Sequence, residues 1–229
     1  MKRARQMSES IELGIVLALA GGFMDAYSYI CRDHVFANAQ TGNLLLLGVH
    51  LSSGEWTKAL RYFCPVLSFA IGISIAVVVR MHLKEKEQLH WRQIAVAIEA
   101  VVLLVVSVLP FDYNLLANSM TSLACGIQVE SFRKIHGNGC ATTMCIGNLR
   151  SAVEHICTYF YTKNKQKLRT GMLYLSIILC FIVGAVFGNL VVEQLQQRAI
   201  LVCSGILLIA FFMMFSKRHH KGELDSRYL

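Results

Sequence analysis

Two short polar stretches interrupt an otherwise apolar chain. The first lies within residues 36–48, FANAQTGNLLLLG, and carries four amide or hydroxyl side chains, on Asn38, Gln40, Thr41 and Asn43. A helix that faces lipid would not carry so many, because an unpaired polar group is costly in hydrocarbon. Thr and Asn cap helix N-termini, and Gly permits a turn. The stretch therefore predicts a half-helix that dips into the membrane and turns back.

The second stretch runs from Thr142 and Thr143 to Asn148 and predicts the same element from the other face. The N-terminus of a half-helix offers free N–H groups and about half a positive charge, which suits an anion or a carbonyl oxygen. We expect the two stretches to meet near the midplane and to line a solute site. The alternative is that they only pack two helix breaks together, because polar residues in membrane bundles often join helices.

Charged residues near these stretches are further candidates. Asp25 and Glu130 lie toward the ends of apolar blocks, where an acid could carry a coupling proton, bind a cation, pair with Arg150, or cap the next segment at the interface. Gln128 could face a ligand or bridge two helices, and Arg150 could line a vestibule or lie in the interface. The candidate substrate-binding residues are therefore Asp25, Asn38, Gln40, Thr41, Asn43, Gln128, Glu130, Thr142, Thr143, Asn148 and Arg150.

The elements that position these residues follow from the composition. Hydrophobic residues make up 55% of the 229 residues and charged residues 16%, against about 25% charged in soluble domains. Six apolar blocks approach the ~20 residues that a spanning helix needs. They are roughly 11–30, 62–79, 94–109, 115–132, 171–191 and 199–215. Two intermediate segments, 35–49 and 140–161, carry the polar stretches, and the first would reach only ~22 Å as a helix.

The basic residues give the topology. With six spanning blocks and a cytoplasmic N-terminus, seventeen Lys and Arg fall inside and four, including Arg32, fall outside. If all eight segments span, the split weakens to thirteen against eight, and Lys84 and Lys86 fall outside. The positive-inside rule therefore favours six spans, with both termini in the cytoplasm of an inner-membrane protein. Glu99 then lies deep in the third span without an acidic counterpart in the other half, and a hydrogen bond to a neighbouring Ser or Asn is one explanation.

An internal repeat supports this topology. A constant offset of 105 residues aligns Gly21 with Gly126, Asp25 with Glu130, and residues 42–44 with residues 147–149. Each half then reads as span, polar segment, span, span. Because three spans are an odd number, the second half must enter from the opposite side, which is the inverted repeat of many secondary transporters. The repeat also predicts that the first block is retained, although Lys2, Arg3 and Arg5 before it imitate a signal peptide.

Several function classes find no support in the sequence. No catalytic motif for hydrolysis, phosphate binding or zinc proteolysis occurs, so we expect no enzyme and no cofactor. The eight cysteines form no CxxC pair, so we expect no metal. The net charge of +8 sits in short loops, and no nucleic-acid-binding module is visible.

Two motifs resemble the YoaK-like family of bacterial membrane proteins, which is defined by a domain of unknown function. The first runs from Gly22-Phe23-Met24-Asp25-Ala26 through Val35-Phe36 to Thr41-Gly42-Asn43. The second comprises Gly126-Ile127-Gln128, Thr142-Thr143 and Gly147. The resemblance covers most of the chain and implies a multi-pass inner-membrane protein, but it implies no substrate.

The sequence thus predicts an all-α integral membrane protein with six transmembrane helices and two re-entrant half-helices in a 3+3 inverted repeat. It forms one domain over residues 1–229, with repeats at about 11–109 and 115–215 and a basic cytoplasmic tail at 216–229. The expected function is secondary transport of a small solute or ion across the lipid bilayer, in a monomer or a homo-oligomer. A passive channel and a non-transporting scaffold or accessory protein are the alternatives.

Overall fold

The fold is almost entirely helical in the computed structural model, which describes residues 10–83 and 91–225. Eight α-helices occur in these ranges: α1 Ile11–Cys31, α2 Gln40–Ser52, α3 Trp56–Leu83, α4 Trp91–Val108, α5 Asn114–Ser131, α6 Cys145–Thr162, α7 Lys165–Leu195 and α8 Ile200–Asp225. Single 3-10 turns, Phe111–Tyr113 and Gln196–Ala199, precede α5 and α8. A minimal antiparallel hairpin, β1 Lys134–Ile135 and β2 Asn138–Gly139, follows α5. The all-α prediction is confirmed, with the hairpin as a small addition.

The helices match the predicted blocks one for one, but several are longer. The six apolar blocks became α1, α3, α4, α5, α7 and α8, and the two intermediate segments became α2 and α6. Three helices continue past their apolar block into polar sequence: α3 and α7 start six residues early, and α8 runs ten residues beyond residue 215 into the predicted tail. Helical hydrogen bonding does not require apolar side chains, so hydropathy marks the spanning part of a helix and not its ends.

Local capping explains several helix ends. The hydroxyl of Ser10 accepts a hydrogen bond from Leu13 N at 3.2 Å and caps α1. Asn164 caps α7 in the same way through Gln166 N. Between α6 and α7, Lys163 adopts a left-handed conformation with φ of 54°, which ends α6 and reverses the chain within two residues.

Four stretches of the described residues are long and apolar enough to cross a membrane: Ile11–Cys31, Trp56–His82, Trp91–Val108 and Lys165–Met214. The last stretch contains both α7 and most of α8. Helix α5 is not among them, because buried polar residues such as Asn118, Ser122 and Gln128 lower its hydropathy. Most of the predicted spans are therefore apolar enough by themselves, and α5 is the polar member of the bundle.

Close helix pairs build the bundle. The most extensive contacts join α1 to α7 and α3 to α5. Glycine permits both: a Cβ on Gly22 would lie 1.9 Å from the Phe181 carbonyl oxygen, and one on Gly126 would lie 2.2 Å from that of Phe69. The shorter helices pack on the partners in these pairs, α2 on α3 and α6 on α7, and α4 packs on α8. The helix backbones therefore touch, as expected where small residues mediate packing in membranes.

The apolar residues divide between an interior and an exposed surface. The largest buried cluster joins α1, α4, α5 and α8 through residues such as Phe23, Leu103 and Leu207. Large apolar side chains are exposed in turn along α3, α7 and α8, among them Leu67, Ile71, Val78, Leu179, Val183, Val186, Ile209 and Phe212. A soluble protein rarely exposes so much apolar surface, so this surface suits contact with lipid.

Some predicted features lie outside the described residues. These are the basic residues Lys2, Arg3 and Arg5, the loop cations Lys84 and Lys86, and the end of the basic tail at 226–229.

At the corner between α2 and α3, the carboxylate of Glu55 accepts from Lys58 at 2.7 Å and lies 2.5 Å from His50 Nδ1. The hydrogen bonds from Lys58 and His50 lower the pKa of Glu55 below its usual range.

Candidate functional site

Asn43 shapes the segment that leads into α2. We define residues 35–39 as the first breaker. The side chain of Asn43 brackets it: its Oδ1 accepts from Phe36 N at 3.0 Å, and its Nδ2 donates to Phe36 O at 2.7 Å. Gln40 supports the bracket, because its Oε1 accepts from Asn43 Nδ2 at 2.9 Å and its Nε2 donates to Ala37 O at 2.8 Å. These two predicted residues therefore hold the breaker's backbone.

Asn148 makes the same bracket in the second half. We define residues 140–144 as the second breaker, which leads into α6. The Oδ1 of Asn148 accepts from Ala141 N at 3.3 Å, and its Nδ2 donates to Ala141 O at 2.6 Å. Asn148 and Ala141 are each 105 residues beyond Asn43 and Phe36. The two breakers therefore share one local hydrogen-bonding design, at the offset that the sequence alignment used.

The two breakers meet at the middle of α1. Gly21 is the eleventh of the 21 residues of this helix. From the first breaker, Asn38 Nδ2 donates to Gly21 O at 3.0 Å. From the second, the Thr142 carbonyl oxygen and the Thr143 Cα lie only 3.1 and 3.3 Å from the position that a Cβ on Gly21 would occupy. A glycine is therefore needed where both breakers touch α1.

Asp25 lies at the N-terminus of α2. Its Oδ1 accepts from Asn38 N at 2.7 Å, and the amides of Ala37 and Ala39 also face the carboxyl group. Helix α2 has no side-chain cap of its own at Ala39, so an acid from α1 takes that place. Asp25 is half-buried and also interacts electrostatically with Cys145, the first residue of α6. The sequence predicted that a solute binds at the N-terminus of α2. The carboxyl group of Asp25 lies at this position and occupies part of it.

Gln128 fixes the second breaker. Its Nε2 donates to Leu17 O on α1 and to the Thr142 hydroxyl, both at 3.1 Å. This links α5, α1 and the second breaker at one point. Three buried polar atoms at the junction have no hydrogen-bond partner among the described residues: Asn38 Oδ1, Gln128 Oε1 and Thr143 Oγ1. The junction is therefore polar and has spare hydrogen-bonding capacity.

Three candidate residues lie away from this junction. Glu130 forms ion pairs with Arg80 at 2.7 Å and Arg133 at 3.4 Å, so its partners are neighbouring cations and not Arg150. Arg150 is exposed on α6. Thr41 lies on the first turn of α2, but its side chain is exposed and contributes no described bond to the breaker. The structure thus brings Asp25, Asn38, Gln128, Thr142 and Thr143 together, with Asn43 and Asn148 behind them.

Sequence reasoning misread Arg32 as a cation of the outer loop. Its side chain is fully buried and donates to the carbonyl oxygens of Val106, Leu109 and Pro110 and to the side chains of Tyr27 and Asn114. It closes the C-terminal end of α4 against α1. An arginine at the end of an apolar block gives no signal of this role, because its acceptors at and after the end of α4 lie more than seventy residues away.

Glu99 is a further acid in the interior, and sequence reasoning assigned it no role in the site. It is fully buried in α4, and neither carboxyl oxygen has a hydrogen-bond partner among the described residues. Its repeat counterpart, Ser204 on α8, donates to Ala100 O at 2.9 Å and not to Glu99. The hydrogen bond to a neighbouring Ser or Asn that the sequence suggested is therefore not formed among the described residues.

Comparison with known proteins supports a membrane protein. A family described as a protein of unknown function, DUF1275, matches residues 13–213. The chain is also similar to the UPF0700 transmembrane protein YoaK of Bacillus subtilis (strain 168), with 28% identity over 218 residues that cover 91% of this chain and 94% of that protein. No solved structure matches the chain. The resemblance drawn from the two sequence motifs is confirmed: the chain belongs to the DUF1275 family of proteins of unknown function.

Proposed function

We propose that this chain is a multi-pass inner-membrane protein that carries a small solute or ion by alternating access. Helices α1, α3, α4, α5, α7 and α8 span the bilayer, and α2 and α6 are re-entrant half-helices that enter from opposite sides. Both termini are cytoplasmic. The solute binds near the midplane where the two breakers meet, and the protein acts as a monomer or a homo-oligomer without enzymatic chemistry.

The packing pattern supports the inverted repeat. If α1–α4 is exchanged with α5–α8, the α1–α7 contact becomes the α5–α3 contact, and α2 on α3 becomes α6 on α7. The pair α4–α8 maps onto itself. The glycine contacts join the same helix pairs. Gly22 of α1 contacts α7, which carries Gly184, and Gly126 of α5 contacts α3, which carries Gly72. A Cβ on Gly22 or on Gly126 would lie at nearly the same distance, 1.9 or 2.2 Å, from the facing carbonyl oxygen. Such an exchange of equivalent contacts is expected for two halves related by a pseudo-two-fold axis.

Contacts between helix ends support the alternating direction of the spans. At one end, Arg32 after α1 binds the end of α4 and Asn114 at the start of α5. At the other end, Arg80 of α3 pairs with Glu130 at the end of α5, and Arg92 of α4 donates to Ser131 O at 2.9 Å. Consecutive spans therefore start and finish at opposite ends, as six crossings require.

The observation that carries the proposal is the meeting of both breakers at Gly21, halfway along α1. Irregular backbone at membrane depth persists only where protein buries it or a wet cavity lines it. Broken helices of this kind hold the substrate of many secondary transporters at the midplane. The half-exposed Asp25 and the unpartnered Asn38 Oδ1, Gln128 Oε1 and Thr143 Oγ1 supply groups that would orient a small polar solute.

A flux measurement in proteoliposomes tests the proposal. Proteoliposomes that contain the purified protein are incubated with a mixture of small metabolites and ions. Mass spectrometry measures what enters the vesicles, and uptake by the wild type is compared with uptake by Asp25→Asn. This change removes the charge and keeps an acceptor for Asn38 N, so we expect a folded protein with reduced uptake of the transported solute. Glu154→Gln, which changes an exposed acid on α6, is the matched control and should transport normally.

The same assay separates the alternatives. Saturable uptake that follows an imposed ion gradient supports a carrier. Linear flux independent of such gradients would support a channel instead. No flux of any component, together with no labelling of Thr41→Cys by aqueous thiol reagents from either side, would point to a scaffold. The exposed Thr41 is the better reporter position, because Asn43 and Asn148 are buried and hold the breakers.

A further inference from the structure

Glu99 is a buried acid that the site around Gly21 does not use. It is the ninth of the 18 residues of α4, so it lies halfway along that helix. Its side chain is fully buried, and both carboxyl oxygens lack a hydrogen-bond partner among the described residues. Polar atoms in such positions are nearly always paired, so this one requires an explanation.

The groups around Glu99 do not neutralise it. The helices that pack on α4 are chiefly α8 and α5, and the titratable residues they turn toward Glu99 are Cys203 and Cys125. Helix α3 meets α4 through Ala76, and the 196–199 turn contributes Ala199 to the core, while its Arg198 is exposed. No described cation faces the carboxyl group.

A metal ion does not fit this position. A hard cation such as Na⁺ or Mg²⁺ needs several oxygen ligands. The one hydroxyl nearby that the structure describes on α8, Ser204, is turned to a backbone carbonyl. No group of three or more His, Cys, Asp or Glu gathers closely enough to hold a metal within the described part of the chain. A proton is therefore the ligand that suits the carboxyl group in its described surroundings.

Glu99 is connected to the breaker junction through Cys125. This residue interacts electrostatically with both Glu99 and Asp25, is hydrogen-bonded to Asn38, and has its sulfur 3.6 Å from Met24 Sδ. Cys203 extends the contact to α1 by donating to Ala20 O at 3.6 Å. Opening of the packing among α1, α5 and α8 would therefore expose Glu99 and alter the junction at the same time.

We propose that Glu99 is a proton-binding site that couples protonation to the opening of this interior. An unpaired carboxylate in a dry interior is so costly that the group binds a proton instead, so Glu99 is neutral in the packed conformation. When the interior opens, the carboxyl group meets water and releases its proton to it. Asp25 differs from Glu99, because its carboxyl group accepts a hydrogen bond from Asn38 N and also faces the amides of Ala37 and Ala39. The coupling role rests on the proposed transport function, while proton binding at Glu99 does not.

Infrared spectroscopy of the reconstituted protein at neutral pH tests the binding site. The wild type should show the carbonyl band of a protonated carboxylic acid, and Glu99→Gln should remove it. Asp25→Asn and the exposed control Glu154→Gln should keep it. A wild type without such a band, or a band that persists undiminished in Glu99→Gln, would overturn the proposal. If Glu99→Gln fails to fold, Glu99→Asp serves instead, and it should keep the band at a shifted frequency.

Cysteine labelling tests the coupling. The rate at which an aqueous thiol reagent labels Thr143→Cys, in a background with Cys157→Ser, reports opening of the junction, because the Thr143 side chain is buried there. One proton released on opening makes the open-to-packed ratio rise by up to about tenfold per pH unit. The labelling rate of every variant rises with pH, because the thiolate is the reacting species. We expect the wild-type interior to show a steeper rise than Glu99→Gln, and the difference between the two slopes reports the coupled proton. An unchanged slope in Glu99→Gln contradicts the coupling, whereas a pH-dependent opening without any solute flux would contradict only the transport function.

Discussion

Asparagine is the side chain that holds each breaker, because one carboxamide satisfies both a backbone N–H and a backbone C=O. Asn43 and Asn148 do this for Phe36 and Ala141. The sequence identified both asparagines by their spacing but assigned them to solute binding. Which of a polar cluster's members face a ligand and which face the backbone depends on where the chain turns back, and composition does not encode that.

The two brackets predict matched losses of stability. Asn43→Ala and Asn148→Ala each remove two buried hydrogen bonds and leave backbone groups unpaired, so each should lower the free energy of unfolding by about 1–3 kcal/mol. Thermal unfolding in detergent measures this. Asn189→Ala, which loses only an exposed contact to Glu193, is the control and should change stability by less than about 0.5 kcal/mol. Equal stability of Asn43→Ala and the wild type would show that the bracket is dispensable.

Arg32 shows the opposite limit of sequence reasoning at this scale. The charge count assigns it to the outside, because it follows the first apolar block. The structure instead surrounds it with three carbonyl oxygens of the α4 end, which carry the partial negative charge of a helix C-terminus. The surplus of inside cations becomes larger when Arg32 leaves the outside count, so the predicted topology is unaffected.

Arg32→Met should destabilise the junction of α1 and α4 strongly. The substitution keeps much of the apolar stem but leaves the Leu109 carbonyl group without its arginine donor. It also removes the second donor from the carbonyl groups of Val106 and Pro110, which keep a backbone N–H, so the loss should be about 1–3 kcal/mol. Arg61→Met is the matched control, because Arg61 and Asp33 are both partly exposed and lie 3.9 Å apart, as a solvated pair worth about 0–1 kcal/mol. Denaturation midpoints of both variants, measured side by side, test this. Equal midpoints would refute the capping role of Arg32.

At the scale of elements, the hydropathy pattern predicted every long helix but not its full length. The pattern is set by lipid and protein burial, whereas a helix ends where capping or a left-handed residue stops it. Lys163 at φ 54° and Gln196 at φ 50° end α6 and α7 in this way, and neither residue type signals such a conformation. The hairpin at residues 134–139 was equally unpredictable, because its strands are two residues long.

The glycine contacts between helices give the sharpest prediction at this scale. Gly22→Ala and Gly126→Ala would place a Cβ about 2 Å from a facing backbone carbonyl, so the helices must separate, at a cost of about 1–3 kcal/mol or more. Gly48→Ala and Gly205→Ala are controls, because both lie in helices with nothing within 4 Å of the new methyl group. These controls should be neutral or gain up to about 1 kcal/mol from helix propensity. Loss of stability in the controls alone, measured by thermal unfolding, would contradict the packing described.

At the scale of the whole molecule, the repeat offset and the charge distribution indicated one arrangement from independent features. The exchange of equivalent helix contacts supports that arrangement, although it places the two halves in intimate contact and not side by side. The sequence could not predict that α1 pairs with α7 and α3 with α5, because pairing depends on glycine contacts between residues more than fifty positions apart. Nor could it predict that Gly21 is the common contact of both breakers.

The central claim is that α2 and α6 are half-helices that enter the membrane from opposite sides. The most direct test finds the side of the membrane on which the α2–α3 and α6–α7 connections lie. Single cysteines in place of Ser53, between α2 and α3, and Lys165, at the start of α7, are exposed and accept a membrane-impermeant thiol reagent in a Cys157→Ser background. Two re-entrant half-helices require Ser53→Cys to react only from the periplasmic side and Lys165→Cys only from the cytoplasmic side. If α2 and α6 crossed the bilayer completely, both positions would react from the same side, and the midplane junction of the breakers would not exist.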